Sequence, residues 1–125
     1  MAMTNANNRP AQPAQEQEAL ELITCVVQRG KADKVAKAAL EAGAGGATIY
    51  FARGMGLREK LGLLGLAIVP EKEVVLIVSN KAATKTIFDT MVRTARLDVP
   101  GMGIAYVTPI SMSAGHIGTD FTKVS

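Results

Sequence analysis

The residues best placed to do chemistry in this chain are glycines. Gly-Met-Gly occurs at Gly54–Gly56 and again at Gly101–Gly103, the second copy directly after Pro100. Lacking a Cβ, glycine lets backbone amides approach a phosphate or carboxylate closely, and successive amides can form an anion-binding concavity. Tight turns use the same residues. Each stretch alone therefore reads first as a turn, and the two make a site only where their loops meet. The nearest basic candidates for an anion are Arg53, Arg58 and Lys60, for which a solvated loop face is the competing reading.

Other chemistry is poorly supplied. The single histidine, His116, lies in SMSAGHIGTDFTKVS with no Cys, Asp or second His at metal-ligand spacing, and reads as a solvated tail residue. Glu16, Glu18 and Glu21 read as the rim before the first strand, and Glu71 and Glu73 as part of a turn, so no carboxylate pair shares a pocket. No nucleophile stands beside a base, and the chain is expected to catalyse nothing. Cys25, the one cysteine, sits in an apolar run, which excludes an internal disulfide and suits a buried thiol. Net charge is +3 with pI near 9.2, but Lys and Arg are scattered and no aromatic-rich strand offers bases a stacking surface. Nucleic acid is therefore not an expected partner.

The elements that must position these loops follow from hydrophobic period. LELITCVVQ, from Leu20, alternates: Leu22, Thr24 and Val26 face one way, and Ile23, Cys25 and Val27 the other. Apolar residues on both faces predict a central strand. After Gly30, the residues Ala32, Val35, Ala36, Ala39 and Leu40 form one stripe of a helix that ends at Gly43. Gly45 and Gly46 turn the chain into a second strand at Thr48–Phe51, interrupted by Gly54 and Gly56. Leu66–Val69 extends toward a third strand whose body is Glu73–Val78, with Pro70 between. A second helix spans Ala82–Ala95, with Ile87, Phe88 and Met91 on its apolar side. Asp98, Pro100, Gly101 and Gly103 then turn into a fourth strand at Ile104–Ile110.

The order βαββαβ predicts an α+β, ferredoxin-like domain, two helices on one face of a four-stranded antiparallel sheet. With 125 residues there is room for one core. The expected division is a disordered tail over 1–18, the domain over 19–110 and a flexible tail over 111–125. Strands apolar on both sides leave a hydrophobic sheet face to cover, so a symmetric oligomer with sheets packed inward is expected. No apolar run reaches the roughly 20 residues of a membrane span and no signal region opens the chain, which places it in the cytoplasm.

Two segments resemble a known family. DTMVRTA at Asp89–Ala95, followed by PGMGIAYV, and KADKVAKAALEAGAGGATIYFARGMG at Lys31–Gly56 are similar to the PII signal-transduction proteins in order and spacing, over about Leu20–Ile110. The resemblance implies a homotrimer whose lateral clefts bind nucleotide, lined by the base of an exposed T-loop and the glycine turn before the fourth strand. Carried over, Thr48, Gly54, Gly56, Val78, Gly101 and Gly103 match cleft positions, and Arg58 takes the place of a T-loop glutamine. There are departures. Ile104 stands where longer-looped members have a phosphate-binding lysine, their downstream arginine pair is absent from TPISMSAG, and no tyrosine lies between Leu57 and Val69 for uridylylation.

The shortened loop resembles a divergent PII-like group associated with membrane transporters. What this implies is a sensor with no resident cofactor, taking AMP, ADP or ATP, or a small anion, as effector and signalling to a regulated protein. Leu57, Leu61, Leu63 and Leu64 are then the partner-facing anchors, or they pack against a neighbouring subunit. A ligand-free interaction trimer of the same fold is the alternative, and a ferredoxin-like enzyme has almost no polar strand residues to build on. Under the sensor reading, a β-branched residue at Gly103 is expected to abolish binding while the fold survives.

Overall fold

The computed structural model describes residues 19–56 and 71–117. Its elements are β1 (Leu20–Gln28), α1 (Ala32–Glu41), β2 (Thr48–Arg53), β3 (Glu71–Asn80), α2 (Lys81–Ala95) and β4 (Gly103–Ile110). The sheet has four strands in the order β2-β3-β1-β4, antiparallel at every pairing, with both helices on one face. This is the ferredoxin-like arrangement expected from the element order.

Alternation along β1 divides its side chains as predicted. Ile23, Cys25 and Val27 are wholly buried toward the helices, where they meet Val75 and Ile77 of β3. From the helices, Val35 and Ala39 of α1 and Ile87 and Met91 of α2 close the same core. Each such large aliphatic side chain contributes about 1.5–3 kcal/mol on full burial. Leu40 departs from the expected stripe: it is 46% exposed, because the narrow face of α1 is filled by Ala32, Val35, Ala36 and Ala39.

Helix α1 starts without a side-chain cap of its own. Instead the Ala32 amide donates to Glu73 Oε1 of β3 at 2.9 Å. The carboxylate thus satisfies one of the orphan amides of the first turn and sits at the positive end of the helix dipole. Glu71 opens β3 and Glu73 lies within it, so neither carboxylate sits at a turn. Helix α2 ends in the opposite manner. Arg96 adopts the left-handed conformation (φ 58°, ψ 47°), with Leu97 N donating to Val92 O at 3.1 Å and Arg96 N to Arg93 O at 3.2 Å. That is a Schellman closure with arginine where glycine is usual.

On the other face of the sheet Leu22, Val26, Leu76 and Val78 are partly exposed, and Tyr50, Ile104 and Tyr106 are exposed. The chain segments at 1–18 and 118–125, read from sequence as tails, lie outside the described residues, as do Leu57–Pro70 with the Leu66–Val69 strand extension. Residues 111–117 are described and contain no helix or strand.

Candidate functional site

Strand register gathers the loops at one end of the sheet. Lys72 pairs with Gln28 on one side and with Ala52 on the other, while Val27 and Val26 pair with Gly103 and Ile104. The end of β1, the end of β2, the start of β3 and the start of β4 therefore converge. Both Gly-Met-Gly stretches reach the same cleft, of about 460 Å³, and the condition that turns two ordinary turns into one site is met. Its walls are largely apolar, from Val26, Ala52, Met55, Val74 and Ile104, with Gly54, Gly56, Gly101 and Gly103 contributing backbone. The volume lies within the range of small-molecule sites.

The polar content of the cleft is concentrated in Lys72. Period two along β3 turns Lys72, Val74 and Leu76 away from the helices. Lys72 is only 8% exposed, and its Nζ donates to Gln28 Oε1 at 3.2 Å. Gln28 Nε2 in turn donates to the Gly101 carbonyl at 2.9 Å. Gly54 lies over the lysine stem, where an added Cβ would sit 3.6 Å from Lys72 Cγ. A largely buried ammonium is costly unless it is hydrogen-bonded or paired, and Gln28 Oε1 is one of its partners. Arg53 borders the same cleft but is exposed. Nearby, Arg29 and Glu71 form a 2.9 Å ion pair at the surface, where such pairs contribute about 0–1 kcal/mol.

The residues named from sequence separate into three groups. Gly54, Gly56, Gly101 and Gly103 line the cleft. Thr48 and Val78 are on the same sheet face but toward its far end: Thr48 pairs with Leu76, four strand positions from Lys72, or about 13 Å. A single chain does not bring them to the cleft. Arg58, Lys60, Leu57, Leu61, Leu63 and Leu64 lie outside the described residues.

Gly103 requires a correction. It belongs to β4 rather than to the turn before it, at φ +142°, and a Cβ there would run into the carbonyl oxygen of Val26 on the neighbouring strand. A β-branched residue at Gly103 would break the strand pairing, so it cannot separate binding from folding. Lys72 and Gln28 were not singled out from sequence. Their signal was register: EKEVVLIV continues the alternation back to Lys72, a charge on an otherwise apolar strand face.

Elsewhere, Cys25 is buried, and burial pushes its thiol up to about 11. His116 is exposed. Among the described residues no group of His, Cys, Asp or Glu is placed to hold a metal ion. No helix there is long and apolar enough to cross a membrane.

The family model for nitrogen regulatory protein P-II matches residues 20–115, spanning all six elements and both glycine stretches. The chain belongs to this family. P-II proteins are signalling regulators, and the cleft at the glycine-rich end of the sheet holds Lys72 and Gln28. Among solved structures, the chain is similar to that of Arabidopsis thaliana PII bound to citrate, at 23% sequence identity and a TM-score of 0.59, over 75% of this chain and 79% of that one. At that identity the likeness is one of fold. No curated protein matches the chain.

Proposed function

We propose that this P-II protein is a non-catalytic sensor that binds a small anionic ligand, an adenine nucleotide or a small carboxylate or bicarbonate, in the cleft at Lys72. The observation that carries this reading is a largely buried ammonium set among glycine backbone and apolar walls. One such cation suits a ligand with one concentrated anionic group and an apolar or flat body. Ile104, 58% exposed at the mouth of the cleft, adds apolar contact where longer-looped relatives place a second cation. The subunits form a trimer through the helix-free sheet face, whose exposed Tyr50, Ile104 and Tyr106 need covering. Neighbouring subunits then complete the cleft, bringing Thr48 and Val78 of one chain toward the glycines of the next.

Signalling runs through the 57–70 connection, whose ends flank the cleft at Gly56 and Glu71. Ligand shifts this loop only by binding its two states unequally. Leu57, Leu61, Leu63 and Leu64 are the anchors for a partner, and a membrane transporter is the partner class that the short loop suggests.

The test is thermal denaturation of the purified protein with AMP, ADP, ATP, cyclic AMP, bicarbonate, 2-oxoglutarate and citrate, followed by calorimetry. A ligand at a hundred times its Kd adds about 2.7 kcal/mol of apparent stability. Lys72→Met is expected to weaken binding at least about tenfold, as loss of a charge-assisted contact does. Saturable binding that Lys72→Met leaves intact would move the site elsewhere. Absence of binding by every compound would favour a ligand-free interaction trimer, a reading that Ile104 in place of a cation also supports.

A further inference from the structure

Gln28 is the last residue of β1 and is half-buried. Its side-chain amide has one oxygen that accepts and one NH2 that donates. The oxygen takes the Lys72 ammonium at 3.2 Å, and the NH2 reaches the Gly101 carbonyl at 2.9 Å, across 73 positions of sequence. These partners are of opposite kind: an ammonium only donates and a carbonyl only accepts, so the amide is locked in one orientation. Accepting from a full positive charge also polarises the amide and strengthens the bond it donates, by roughly 10–30%.

The turn at the far end of this chain of bonds is otherwise held by short-range contacts. Val99 N donates to Arg96 O at 3.0 Å and Met102 N to Val99 O at 3.2 Å, and Gly101 itself lies at φ 87°. We infer that Gln28 is a positioning residue that couples charge at Lys72 to the order of the Val99–Gly103 turn. Anything that draws on the ammonium is thereby felt at the turn opening β4. This deepens the anion-cleft reading, and only its ligand measurement rests on that reading.

The test uses the full-length protein without ligand. Hydrogen exchange at the Met102 amide is measured in wild type, Gln28→Ala, Lys72→Met and the double variant, with protection of Cys25 from thiol reagents reporting an intact fold. Each single substitution is expected to speed exchange, by about fivefold for Gln28→Ala, as loss of one hydrogen bond does. In the double variant the lysine effect should vanish, leaving the value for Gln28→Ala alone. Gln28→Glu keeps an acceptor for Lys72 but has no N–H for Gly101, so it should loosen the turn like the alanine variant.

The coupling is overturned where Lys72→Met speeds exchange equally with and without Gln28, or where neither single substitution changes it. The second measurement adds whichever of AMP, ADP, ATP or citrate binds wild type. Such a ligand should change Met102 exchange in wild type and leave it unchanged in Gln28→Glu. If none of these and none of cyclic AMP, bicarbonate and 2-oxoglutarate binds, the anion-cleft reading fails while the ligand-free cycle still decides the coupling.

Discussion

At Gly54 an added Cβ would rest in ordinary contact with the Lys72 stem, 3.6 Å from Cγ, whereas at Gly103 it would run into the carbonyl oxygen of Val26. Both glycines begin or end a Gly-Met-Gly stretch, and both stretches border one cleft. In the first stretch the missing side chain leaves room above a cation; in the second it lets two strands pair. Identical tripeptides therefore leave open cleft space in one case and permit a close backbone approach in the other, and only the neighbouring atoms tell them apart.

Gly103→Val would test this contrast most severely. It is expected to cost about 3 kcal/mol or more, since overpacking and a strained φ add together. Denaturant unfolding measures the cost, and a wild-type midpoint would remove the distinction between the stretches. The next effect comes from Cys25, which pairs with Ala105 two positions into β4 from Gly103. Burial raises its thiol from 9.0 to about 11 in the folded protein. The unfolded chain loses this proton first, so stability should fall as pH rises from 9 toward 11, by about 2 kcal/mol in all. Cys25→Ser or Cys25→Ala should abolish that alkaline slope, and a slope that persists would assign it to other groups.

Arg96→Gly addresses the turn leading into the second stretch. Relieving a left-handed arginine is expected to add about 1 kcal/mol, read as a raised thermal midpoint. The smallest effect belongs to Gly54→Ala. Its stability should stay within about 0.5 kcal/mol of wild type, while its added methyl, seated on the lysine stem, lowers affinity for whichever anion binds. A loss of stability at Gly54 comparable to that at Gly103 would mean that both stretches serve the backbone alone.

Sequence pattern disclosed the architecture because alternation and helical period are local. LELITCVVQ reads as a central strand since both of its faces are apolar, and β1 does lie between β3 and β4. The convergence of Gly54 and Gly101 was legible only as a condition, for it depends on register between strands far apart in the chain. Lys72 went unnoticed for the same reason. Beside Glu71 and Glu73 it looks like one charge in a solvated run, and only pairing with Gln28 and Ala52 shows that it faces the cleft. Gly103 was misplaced because a glycine after Pro-Gly-Met reads as a turn, while the closeness of the Val26 carbonyl is a property of the neighbouring strand. Leu40 shows the limit of period on α1: alanines at three of the four buried positions make the covered stripe too narrow to take it in.

The central position of β1 also governs how the chain can be assembled. It precedes the other described elements in the chain, yet its partners begin at Glu71 and Gly103, so it waits long for its neighbours. Pairings this distant in sequence slow folding and leave an unpaired strand edge open to other chains meanwhile. Emergence of β4 from the ribosome is the event that ends this exposure.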